Sequence, residues 1–205
     1  MYRRSIALTA AVAAVFVFVP AALAARVHVR VEGKTQTIFG SAEPTLSVKA
    51  TALDSLESAS LAGEFYYHVA VTAFGPYVDQ IGRYPALPGT STGWVFKVNG
   101  VSPPVGADHV TLKDGDTVLW YWATFTGPAG PLTLEVETSI VKGKRCFFAT
   151  GRNDAGRASR VHGVAFTVNG RRLGSRTGVV CSRPGRYSVR VSKPGAIRSR
   201  IYSGR

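Results

Sequence analysis

The sequence predicts an α+β grasp-like domain with one helix on a small β-sheet, followed by an all-β immunoglobulin-like sandwich. Three observations lead there. Residues 26–125 read as strand, helix, then several strands, the order of a sheet with one helix laid across it. Beyond residue 131 only short apolar runs occur, parted by turn signals (Lys142-Gly143, Asn169-Gly170, Pro184-Gly185, Pro194-Gly195), as in a small sandwich. The formal charge of +13 is also unevenly placed. Residues 25–127 hold seven Lys/Arg against nine Asp/Glu, and residues 128–205 hold sixteen against three. A near-neutral half joined to a very basic one argues for two domains.

Residues 1–24 read as a secretory signal. Arg3 and Arg4 supply the positive start, residues 6–19 are apolar, and Pro20 precedes the small-x-small run Ala22-Leu23-Ala24. The apolar run is shorter than the ~18 residues a membrane span needs, so cleavage is expected rather than retention as an anchor. The mature chain is expected to be secreted or associated with the cell envelope, with no transmembrane span. The remaining boundaries are a first domain at 25–126, a short stiff linker at 127–131 (GPAGP), and a basic domain at 132–205.

Within the first domain, RVHVRVEG (26–33) alternates. Val27, Val29 and Val31 face one way and Arg26, His28, Arg30 and Glu32 the other, the pattern of a half-buried strand. Residues 35–39 can pair back as a hairpin. Residues 51–61 (TALDSLESASL) are the one convincing helix, with Thr51 and Asp54 spaced as a capping box and Gly63 as the expected stop. Residues 64–74 form a second strand, 77–81 a strand or turn, and 83–92 a loop rich in Pro and Gly. All three tryptophans lie in residues 93–122, where runs 94–98 and 117–122 flank Asn99-Gly100 and Asp114-Gly115-Asp116. Both faces of run 120–122 are aromatic. One must be core, and the other is covered by the helix or left open as a stacking platform.

In the second domain, 132–136 and 187–191 alternate, and 146–149, 164–168 and 179–181 are short apolar runs. The two cysteines, Cys146 and Cys181, are expected to form one disulfide stapling facing sheets.

The chemistry is sparse. No Gly-x-Ser-x-Gly is present, and His28, His68, His109 and His162 are dispersed. Asp114-Gly115-Asp116 resembles the start of a calcium loop, but a strand begins where further ligands should stand, so it reads as a turn. The chain is expected not to be an enzyme and to carry no cofactor and no metal. The aromatic loop predicts a ligand cleft for a small ligand or extended polymer, with Tyr77, Tyr84 and Trp94 as candidate binding residues. The basic half predicts association with an anionic cell-envelope polymer through residues 132–205, and no specific nucleic acid. Its cations are mostly Arg, so compositional bias is the competing explanation.

Five segments in order, VRVEG, LDSLESA, FGPYVDQIG, GWVFKVNG and LKDGDTVLWYW, resemble the transcobalamin C-terminal-like domain of many exported bacterial proteins of unknown function. The resemblance covers about residues 26–125 and implies a β-grasp-like fold. In the animal cobalamin carriers a related domain covers one side of the corrinoid. The helical barrel that completes that site has no counterpart here, so the resemblance implies at most half of such a cleft. The second half resembles an immunoglobulin-like or carboxypeptidase-regulatory-like module through VNG…PGRYSVRVSKPG. The leading expectation is an exported, non-enzymatic binding protein. An exported corrinoid- or cofactor-capture protein and an unrecognised glycan-acting enzyme stand as alternatives.

Overall fold

The computed structural model describes residues 24–125 and 129–205. The expected signal at 1–24 therefore lies almost wholly outside the described residues, as does part of the 127–131 linker.

Valine alternation makes β1 (Ala25–Glu32) the centre of the first module. It is flanked on one edge by β2 (Thr37–Phe39) and β3 (Thr45–Val48), both antiparallel. α1 (Ala52–Gly63) follows, and its capping box is formed: Asp54 N donates to Thr51 Oγ1 at 3.2 Å and Thr51 N to Asp54 Oδ2 at 2.7 Å. The helix ends at Gly63 as expected, but the left-handed cap is the next residue. Glu64 takes the left-handed position (φ 50°) and donates its N–H to Ser60. Gly63 is needed for space, since a Cβ there would meet the rings of Phe39 and Phe65.

The chain then leaves the main sheet. β4 (Tyr67–Thr72), β5 (Gly75–Ile81) and β6 (Tyr84–Pro85) form a separate three-stranded sheet. The segment read as a loop thus contains a strand, and a bridge from Leu87 to Thr92 closes it. β7 (Thr92–Val98) and β8 (Thr117–Thr124) return to the main sheet. β8 runs parallel to β1, and β7 pairs antiparallel with β8 in a register that puts Trp94 opposite Trp122 and Phe96 opposite Trp120. Asn99 and Gly100 both have positive φ, which lets the chain turn tightly after β7. The helix packs on one face of this sheet over Val27, Val29, Val31 and Trp120, and Trp120 Nε1 donates to Ser55 Oγ at 3.3 Å.

The second module is all β. β9 (Thr133–Val141), β10 (Lys144–Arg152), β11 (Ala158–Arg160), β12 (Val164–Val168), β13 (Arg171–Ser175), β14 (Val179–Ser182), β15 (Tyr187–Ser192) and β16 (Tyr202–Gly204) form two four-stranded sheets. They share an apolar core built on Leu134, Val136, Phe147, Phe166, Val189 and Val191. The disulfide Cys146–Cys181 is present, but it does not join facing sheets. Cys146 and Cys181 are direct partners on the adjacent antiparallel strands β10 and β14, so the bond staples one sheet from within. The strand pattern alone left open which sheet each strand would join.

The alternation in β1 identifies its two faces, but the second face is not solvated throughout. Arg30 and Glu32 are wholly buried there, because the second module lies against that face. Leu119, Tyr121 and Ala123 of β8 pack on Ile197. Glu32 accepts from Arg30 (3.1 Å), from Arg190 (2.5 Å) and from both Arg198 Nη2 (2.8 Å) and Nε (3.0 Å). Arg30 also donates to the Arg198 carbonyl at 2.6 Å, and Ile201 N to the Ser41 carbonyl at 2.6 Å. The aromatic strand is therefore core on one face and interface on the other, not a stacking platform.

Candidate functional site

Two openings matter. The apolar one is a cleft of about 280 Å³ beside β7. β7 is the edge strand of the main sheet, and β5 of the small sheet stands across from it. Trp94, Val95 and Phe96 form one wall, Pro76, Tyr77 and Val78 the other, and residues 102–107 close an end with Pro103 and Val105. Tyr121, Phe125 and Asp154 complete the lining, so the second module contributes one carboxylate to a pocket of the first.

The three aromatic residues singled out from the sequence separate. Tyr77 lines the cleft and is 39 % exposed. Burial raises its phenol pKa, the Trp94 backbone N–H opposes this, and the Asp79 carboxylate adds to it. Gly93 keeps room for this ring, because a Cβ there would strike the Tyr77 hydroxyl. Trp94 also lines the cleft, but from beneath: it is buried, with Nε1 donating to the Tyr84 carbonyl at 2.7 Å. Tyr84 is not at the cleft. The two-residue β6 turns its ring into the core, where its hydroxyl meets Thr35 at 2.8 Å and Arg83 Nη2 at 3.1 Å.

Asp154 is held in place from several sides. Gly130 N donates to it at 2.6 Å, Ser102 Oγ at 3.2 Å and Lys97 Nζ at 3.1 Å. Lys97 is fully buried behind the cleft, bonded also to Thr133 Oγ1 at 3.1 Å and set 5.5 Å from the Tyr121 ring centroid. Burial lowers the Lys97 pKa, with the Asp154 carboxylate opposing that effect. Burial raises Tyr121 to about 12. The site thus has an aromatic floor on a fixed polar base, which suits an apolar or ring-bearing ligand. Sequence reasoning missed Val105 and Asp154. Pro103-Pro104 signalled a loop without saying where it would fold, and Asp154 arrives from 60 residues beyond Trp94.

The second opening is a polar groove of about 580 Å³ between the modules, lined among others by His28, Arg30, Glu43, Glu135, Arg152 and Arg200. It holds two carboxylates, but both are engaged. Glu43 bonds Arg30 at 2.9 Å and lies 3.6 Å from Arg200, and Glu135 bonds Arg152 at 2.7 Å. Asp114 and Asp116 are likewise occupied by backbone. Asp114 Oδ1 accepts from Arg26 N at 2.8 Å and Asp116 Oδ2 from Lys113 N at 2.8 Å, as befits a turn. Among the described residues no group of three or more His, Cys, Asp or Glu is placed to hold a metal ion, and no helix is long and apolar enough to cross a membrane.

Residues 49–124, which run from the helix to the end of β8, match a family described as a domain of unknown function, DUF4430. No curated protein matches the chain. Among solved structures, the chain is similar to a Ruminococcus gnavus protein to which metal binding has been provisionally ascribed. The two are 17 % identical with a TM-score of 0.38, and the likeness covers 49 % of this chain and 98 % of that one.

Proposed function

We propose that this chain is an exported, non-enzymatic binding protein. Its first module, a β-grasp-like domain, takes a small or extended ligand at the aromatic cleft, and its basic second module, an immunoglobulin-like sandwich, associates with anionic polymers of the cell envelope. The observation that carries the binding reading is the open apolar cleft between β5 and β7, with Tyr77, Phe96 and Val105 at its surface. At about 280 Å³ it lies just under the range of roughly 300–1,000 Å³ typical of small-molecule sites. That is room for a ring or an apolar side chain, not for a whole corrinoid. The carboxylates that a glycan-acting enzyme would need are tied to arginines, which favours binding over catalysis.

The test is titration of the full chain with the apolar reporter 1-anilinonaphthalene-8-sulfonate, read by its emission and by tryptophan quenching. Saturable 1:1 binding that disappears in Val105→Arg is expected. Val105 is 49 % exposed, so the substitution fills the mouth of the cleft without disturbing the core. Saturable binding that Val105→Arg leaves unchanged would move the site elsewhere, and absence of saturable binding would remove the cleft reading. A parallel titration with cobalamin is expected to leave tryptophan emission unchanged.

A further inference from the structure

The cations of the second module are sorted by position. Arg190, Arg198 and Arg200 each meet a carboxylate of the first module, Glu32 or Glu43, and Arg152, on the groove between the modules, pairs with Glu135 of its own module. Among the described residues no other Lys or Arg of this module lies within ion-pair distance of an acid. Six of these gather at the end turned away from the first module. Lys142 and Lys144 flank the turn between β9 and β10, and Arg145 follows, paired with Ser182 beside Arg183. Arg145 lies over the Tyr187 ring at 5.0 Å. Arg186 precedes Tyr187, and its carbonyl accepts from Asn169 in the turn that leads into Arg171. Both sheets therefore deliver positive charge to one end. That end lies about 30 Å from Thr133, nine residues back along β9, where the strand touches the buried Lys97.

A second feature coincides with this charge. β9 is an edge strand of its sheet, and its residues 137–141, with the turn as far as Lys144, are exposed throughout. At the tip stand Ile140 (53 % exposed) and Val141 (43 %), the two large apolar side chains the second module leaves exposed among the described residues. Glu137 is the one acid on this exposed stretch, about 10 Å down the strand from Ile140. A soluble polyanion needs cations only, and it gives an apolar tip nothing to enter. A bilayer surface takes both: cations meet lipid phosphates while the tip enters the boundary between headgroups and acyl chains. A plane also meets the ends of both sheets at once.

We propose that this distal end docks on an anionic lipid bilayer, with Ile140 and Val141 inserted and Lys142, Lys144, Arg145, Arg171, Arg183 and Arg186 on the headgroups. The inference rests on the reading that the basic module holds the protein to the envelope, and it replaces a polymer with the membrane surface as the anchor.

The full chain is sedimented with vesicles of equal phosphatidylglycerol and phosphatidylcholine, and with pure phosphatidylcholine vesicles. Binding to polyphosphate is measured separately. The expected result is binding to the anionic vesicles alone among the two, falling steeply with salt. The triple variant Lys142→Gln/Lys144→Gln/Arg183→Gln is expected to lose about 100-fold in vesicle affinity. Ile140→Ser/Val141→Ser should lose about tenfold on vesicles and nothing on polyphosphate. Arg157→Gln/Arg160→Gln/Arg176→Gln, three exposed cations elsewhere on the module, should change binding less than threefold. Polyphosphate binding without vesicle binding overturns the bilayer inference and leaves the polymer reading standing. Binding to neither removes both. Equal losses in the two triple variants, or no effect of the tip double variant, mean a diffuse field rather than a docking end and also overturn it.

Discussion

The two faces of the main sheet are built by opposite chemistry. The helix side is sealed by Val27, Val29, Val31, Trp120 and Leu56, which need only shape and apolar area. The other side is sealed by Arg30, Glu32 and Lys97, each wholly buried, and each can be buried only because the second module brings a partner to it. An apolar face tolerates any apolar cover. A face carrying three arginines on one carboxylate accepts a single placement of its cover. The first face thus supplies stability, and the second supplies register between the modules. Burial, and crowding by Arg30 and Arg198, lower the pKa of the Arg190 guanidinium, with the Glu32 carboxylate opposing them.

Substitutions on each face test this contrast. The largest effect is expected from Glu32→Ala. Removing the carboxylate leaves three guanidiniums facing one another in a buried site, and the loss should be about 3–5 kcal/mol in urea unfolding. A loss under about 1 kcal/mol would mean the modules hold together without the pin. Next is Leu56→Ala on the helix face, expected to cost about 2–5 kcal/mol through the cavity it leaves, with no dependence on salt. A marked salt dependence there would undo the distinction between the faces. The smallest effect is the acid response of the Lys97–Asp154 contact. Burial pushes the Asp154 carboxyl up, but the Gly130 N–H, the Lys97 ammonium and the Ser102 hydroxyl together hold it below its ordinary 3.8. A depressed carboxylate contributes stability that is complete above 3.8 and is lost as pH falls through the folded value. Urea midpoints at pH 7 and pH 3 should therefore converge between wild type and Asp154→Asn, the variant being the weaker at pH 7. A gap that persists unchanged at pH 3 would assign Asp154 a role in packing alone.

Much of the scaffold could be read from local pattern. The valines of β1, the Thr51–Asp54 cap and the turns around Asn99 and Asp116 each depend on neighbours a few residues away. What covers a face is not local information. Alternation marks Arg30 and Glu32 as one side of a strand, yet their burial depends on Arg190 and Arg198, more than 150 residues on. The cleft divides in the same way. Tyr77 pairs with the run just before it and Trp94 lies on a strand that its own apolar run marks, whereas Tyr84 turns inward on a strand of two residues and Asp154 belongs to the other module. With two cysteines the pairing was determined, but only strand register could put Cys146 and Cys181 side by side in one sheet.

The Glu32 pin also fixes the order in which the molecule can be completed. Its bonds to Arg190 and Arg198 span 158 and 166 residues. Contacts that distant in the chain close late, after local strands and the helix have formed. A chain threading out of a narrow channel from its N-terminal side would present β1 long before Arg190 and Arg198 emerge. Until then Arg30, Glu32 and Lys97 stay wet, and the first module waits with one face unfinished. Its last step is a fastening near both ends at once, like a clasp. Protease cleavage between residues 132 and 189 of a finished molecule would therefore leave its two pieces gripped together.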